Sequence, residues 1–84
     1  MDIETIVPKD FDRATFDSLS QESQCKVLAL YEVAYLLDRQ GYKQITPKEF
    51  YTLYDLDAIE LYDTCTGLIN AIQQGTIPAR FKKA

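Results

Sequence analysis

Residues 18–41 read Ser-Leu-Ser-Gln-Glu-Ser-Gln-Cys-Lys-Val-Leu-Ala-Leu-Tyr-Glu-Val-Ala-Tyr-Leu-Leu-Asp-Arg-Gln-Gly. A polar start, a long apolar middle and an Arg-x-Gly stop predict one helix of about six turns. Ser18 and Gln21 have the capping-box spacing, and Ser20 is the alternative start. Glu22 near the beginning and Arg39 near the end both complement the helix dipole. Gly41 suits the first position past the helix because glycine accepts positive φ. Val27, Leu30, Tyr31, Ala34 and Leu37 follow helical spacing, while Leu28, Val33, Tyr35 and Leu36 lie outside that stripe. So wide an apolar arc predicts a helix covered from two or more sides.

Working outward, Thr46-Pro47-Lys48-Glu49 is the sharpest local signal. Threonine at N-cap, proline at N1 and glutamate at N3 form a capping box with a pre-set first φ. Ile45 and Phe50 flank it as a hydrophobic staple. A helix over 47–54 follows, with Phe50, Leu53 and Tyr54 on one face. Asp55-Leu56-Asp57 breaks it, and either aspartate can cap the next helix. Leu61, Cys65, Leu68, Ile69 and Ile72 then keep helical spacing up to Gly75. Gly67 costs this helix about 1 kcal/mol against alanine, a cost that close helix packing would explain. The competing reading makes 50–54 and 59–62 two strands of a hairpin, favoured by their aromatic content.

Residues 1–10 read as an extended arm, because Pro8 removes a donor and pushes Val7 away from helix. Phe11 and Phe16 are its anchors to the core, and 12–18 suits a short helical turn. In the tail, 76–84, helix ends by Pro78, and Ile77 and Phe81 are candidate apolar plugs. The expected fold is therefore a single domain over 1–84. It is a compact all-α three-helix bundle (18–40, 47–54, 57–74) with an extended arm and a short basic tail. Its expected core is Val27, Leu30, Leu37, Phe50, Leu53, Leu61, Leu68, Ile69 and Ile72.

The composition excludes several function classes. The chain has 84 residues, a net charge of −4 and no histidine. Without histidine there is no Ser-His or Cys-His pair, and most zinc sites are lost. Three glycines, none in a phosphate-loop pattern, supply no phosphate cradle. A chain with a pI near 4.6 lacks general affinity for a phosphate backbone. The charge is uneven, with four acids and no base in 55–75 and three bases and no acid in 76–84. Cys25 and Cys65 both fall on apolar faces in this reading and are expected to be buried free thiols. No basic-then-apolar leader is visible at the start, and the longest apolar run is half a membrane span and holds Glu32. Those features predict a cytosolic chain with no membrane contact and no cofactor.

Asp55, Asp57, Glu60 and Asp63 form the densest acidic group, but the calcium-loop pattern fails at Ile59 and Leu61. Capping and the helix dipole account for carboxylates at a helix start. Six tyrosines beside four phenylalanines, with no site chemistry, tilt the reading toward protein binding. The candidate partner-binding residues are Tyr31, Tyr35, Tyr51 and Tyr54, the acids Asp57, Glu60 and Asp63, and Arg80, Phe81 and Lys82 of the tail. The expected function is a non-enzymatic interaction module, an adaptor, regulator or inhibitor whose partner is another protein or a second copy of itself. The alternative is a nucleic-acid-related regulator, through a weak helix-turn-helix with 47–54 as recognition helix, or through acidic mimicry of DNA.

Overall fold

The computed structural model describes residues 13–83. In chain order it contains α1 (Arg13–Phe16), α2 (Gln21–Arg39), α3 (Pro47–Tyr54), α4 (Ala58–Gln74) and a single 3-10 turn, Ala79–Phe81. The described residues contain no strand, so 50–62 is helix-turn-helix and not a hairpin. The arm over 1–10 and the anchor Phe11 lie outside the described residues.

The caps explain the boundaries. Ser20, not Ser18, begins α2, its hydroxyl oxygen accepting from the Ser23 amide at 3.2 Å. Ser18 is drawn back instead, its hydroxyl donating to the Thr15 carbonyl at the end of α1. The box at α3 is complete: the Glu49 amide donates to Thr46 Oγ1, and the Thr46 amide donates to the Glu49 carboxylate, both at 3.1 Å. Asp57 begins α4 by accepting from the Glu60 amide at 3.0 Å. Two helices end alike. Past α2, the Gly41 and Tyr42 amides donate to the Asp38 and Leu37 carbonyls. Past α4, the Gly75 and Thr76 amides donate to those of Ile72 and Ala71. Both closures require φ near +74° at the glycine, where a Cβ would clash with the backbone.

The three long helices run up, down and up. Gln44, just before α3, donates from Nε2 to the Ala34 carbonyl late in α2, and Tyr54, at the far end of α3, donates its hydroxyl to Ser23 Oγ early in α2. So α3 is antiparallel to α2. The turn between α3 and α4 is pinned at the same end, where Lys26 Nζ donates to the carbonyls of Tyr54 (3.2 Å) and Leu56 (2.7 Å). From there α4 returns parallel to α2 and packs against it more extensively than α3 does.

The core is Val27, Leu30, Val33, Ala34 and Leu37 of α2, Ile45 and Phe50, Leu61, Cys65, Leu68 and Ile72 of α4, and Ile77 and Phe81 of the tail. Leu53 and Ile69, expected in the core, are half-buried at its edge. Val33, outside the expected stripe, is fully buried, because α3 and α4 both cover that side of α2. The tail is no free end. Phe81 is 2% exposed, its carbonyl accepts from the Lys43 amide, and Arg80 reaches back to Glu49 at 2.9 Å.

Candidate functional site

The predicted candidates separate into three places. On α2, Tyr35 is half exposed, with the Arg39 guanidinium 5.9 Å from its ring centre, and Tyr31 is half-buried. Tyr31 lines a shallow cleft of about 420 Å³ with Phe16, Asp17 and Leu28. Leu28 is 54% exposed and lies seven residues before Tyr35, so the two side chains share one solvent face two turns apart.

Cys25 sits one turn before Leu28 and is exposed, against the expectation of burial. Cys65 is buried, and neither thiol is in a disulfide. Tyr62 of α4 leans on Cys25: partial desolvation first, then the neighbouring thiol and Glu22, raise its phenol above the ordinary value. Tyr62 thereby joins α4 to the exposed face of α2. Sequence reasoning did not single out Leu28 or Tyr62 for a site. The available signal was that Leu28 lies outside the buried stripe of its helix.

The remaining tyrosines differ. The Tyr54 ring carries the Lys26 ammonium 5.4 Å from its centre while its hydroxyl holds Ser23, so it ties α3 to α2. Tyr51 is partly exposed on α3.

The acids occupy the end of the bundle where α4 begins. Asp57 is the N-cap; Glu60 and Asp63 are exposed in the first two turns. Between them Ile59 is 81% exposed, the most exposed large apolar side chain among the described residues.

The third place is the opposite end. Phe81, read both as an apolar plug and as a partner contact, is the plug: its ring is buried in one cluster with Ile77 and with Ile45 of the loop before α3. Arg80 and Lys82 stay exposed beside it. Arg80 and α3 frame a cleft of about 290 Å³ lined by Lys48, Glu49, Thr52 and Leu53.

No three His, Cys, Asp or Glu side chains are grouped to hold a metal ion among the described residues. Burial, with the Glu32 carboxylate nearby, pushes the Cys65 thiol up to about 11, so it stays protonated and non-nucleophilic at neutral pH. No described helix is long and apolar enough to cross a membrane. The arrangement offers surfaces rather than reactive groups. Comparison with family models, with curated proteins and with solved structures finds no match for this chain.

Proposed function

We propose that this chain is a non-enzymatic protein-binding module, a cytosolic adaptor, regulator or inhibitor that grips its partner through the outer face of α2. One observation carries the reading: Leu28 and Tyr35, each half exposed, stand on one helix face beside Cys25 and Tyr62. A surface isoleucine or leucine alone is unremarkable, but aromatic and aliphatic side chains grouped on one face are what binding surfaces use. Tyrosine adds a polar tip to a large apolar area at low entropic cost. Glu22 and Glu32 lie along the same side, the Arg39 guanidinium sits by the Tyr35 ring, and Lys26 is occupied by the α3–α4 turn, which leaves the acids in excess. The charge therefore suits a partner segment whose apolar anchors are flanked by lysine or arginine.

The test is capture from cells with crosslinking, comparing the wild-type chain with Leu28→Asp/Tyr35→Asp. Both positions are exposed, so the double variant keeps the wild-type circular dichroism. A control, Gln73→Asp, changes an exposed position late in α4. The double variant loses captured proteins that the control retains. Equal capture by all three chains would refute the reading.

A further inference from the structure

The cleft between α3 and the docked tail shares no residue with the outer face of α2. At about 290 Å³ it falls just under the range of about 300–1,000 Å³ usual for small-molecule sites, so it suits one inserted side chain rather than a cofactor. Leu53, half-buried, supplies its apolar wall. Thr52 adds no free donor there, because its hydroxyl donates to the Lys48 carbonyl at 2.9 Å.

The rim is basic. Arg80 is held by two contacts: Nη1 lies 2.9 Å from the Glu49 carboxylate, and the guanidinium carbon lies 4.6 Å from the centre of the Phe81 ring, which is itself buried. One arginine is therefore in place before any ligand arrives, and it keeps N–H donors beyond those that Glu49 takes. Lys48 is exposed and has no ion-pair partner among the described residues. Lys82 and Lys83 follow Arg80 in the chain and are exposed too. Among the described residues Glu49 is the only acid of the lining, and it is spent, one oxygen on the Thr46 amide and the other on Arg80. The next acid along α3, Asp55, stands about a turn beyond Thr52 and does not line the cleft. In a chain of net charge −4, this is a local reversal of sign.

We infer that the cleft binds an acidic peptide segment of another protein. One leucine or phenylalanine of the segment packs on Leu53, and a neighbouring aspartate or glutamate meets Arg80 and Lys48. Arginine can take a carboxylate in a two-pronged pair, which fixes the register of the segment, while lysine adds charge. A nucleic acid fits less well. The cleft offers it an apolar wall and no open aromatic face, since Phe81 is buried, and the net charge of the chain opposes a dense polyanion. The inference goes beyond the α2 face and does not depend on it. The two surfaces ask for opposite chemistry, so one chain holds two partners without competition between them.

Amide NMR titration of the full chain tests it, with two acetylated and amidated peptides, Gly-Glu-Asp-Leu-Asp-Glu-Gly and its phenylalanine counterpart. The amides of Lys48, Thr52, Leu53 and Arg80 shift and saturate with a Kd below about 1 mM, while those of Leu28 and Tyr35 stay in place. Added salt weakens the binding. Serine in place of the apolar anchor, or lysines in place of the acids, lowers affinity at least about tenfold. Arg80→Ala and Lys48→Glu each do the same, the size of one charge-assisted hydrogen bond. Thr52→Trp, which narrows the cleft and leaves every charge, also weakens binding. All three positions are exposed, and the spectra show that each variant folds.

No shift with either peptide at millimolar concentration overturns the inference. So do shifts centred on Leu28 and Tyr35, equal binding of the serine peptide, or variants that bind like the wild type. A mixed-sequence DNA duplex is the last probe. Tighter binding than the peptides at the same amides assigns the rim to a polyanion and overturns it too.

Discussion

Replacing Phe81 with alanine tests whether the tail belongs to the core. The side chain is 2% exposed and packs with Ile77, Ile45 and Leu37 in one cluster. Truncating a buried phenylalanine costs about 3–5 kcal/mol, from lost transfer energy and the cavity left behind. A chain of this length has a total stability of roughly 4–13 kcal/mol, so the change removes a large share of it. With a urea slope near 1 kcal/mol per molar, the midpoint falls by about 3–5 M, and a weakly stable background unfolds outright. Urea titration followed by circular dichroism reads this directly. Arg80→Ala is the control one residue away. It removes an ion pair whose arginine is 63% exposed, worth at most about 1 kcal/mol. A loss of under about 1 kcal/mol for Phe81→Ala, indistinguishable from the control, would refute the docked tail and with it the basic rim of the cleft built upon it.

Three further outcomes follow from Gly67 and the two cysteines. Gly67 is exposed inside α4 with nothing within 4 Å of an added Cβ and no positive φ. Gly67→Ala therefore raises stability by up to about 1 kcal/mol in the same titration; a loss would mean that the helix needs the glycine. The folded chain holds the Cys65 proton more tightly than the unfolded chain, since burial and Glu32 move its pKa from 9.0 to about 11. That contribution is complete below pH 9 and fades as pH climbs from 9 to 11. Thermal unfolding across that range falls more steeply for the wild type than for Cys65→Ala, and parallel curves would count against it. In native buffer a thiol reagent modifies Cys25 alone, and in urea it modifies both.

The local signals were legible because their partners are local. Thr46, Pro47 and Glu49 satisfy one another within a single turn, so α3 begins and ends where the sequence puts it. Asp57 and Gly75 bound α4 for the same reason. What the sequence leaves open depends on which neighbour covers which side. The apolar arc of α2 is wider than the arc that α3 and α4 cover. A stripe drawn from Val27 through Tyr31 is therefore rotated away from Val33, which is buried, toward Tyr31, which is not fully so. Cys25 suffers the same error: only the Tyr62 side chain of α4 reaches it, at the edge of the bundle, and the thiol stays exposed. The close-packing role expected of Gly67 fails because that face of α4 meets no helix. Phe81 is legible as a candidate plug, but where it docks is not, because its backbone partner Lys43 lies far back in the chain. The candidate surface was half visible: the tyrosines were named, while Leu28 and Ile59 stand out only once their exposure is known.

The Lys26 pin sets a limit on which substitutions the chain tolerates. The last turn of α3 has no basic side chain of its own, so a neighbouring helix satisfies its Tyr54 carbonyl together with the Leu56 carbonyl of the turn that follows. A compact ammonium with three rotatable donors meets two converging carbonyls while lying 5.4 Å from the centre of the Tyr54 ring. The flat guanidinium of arginine is longer, and its donors are fixed in a fork that does not converge this way. Arginine at position 26 keeps the charge and loses the fit, whereas methionine keeps the stem and strands both carbonyls. Conventional similarity between side chains is thus a poor guide here: the requirement is for one short cation at the one point where three helices meet.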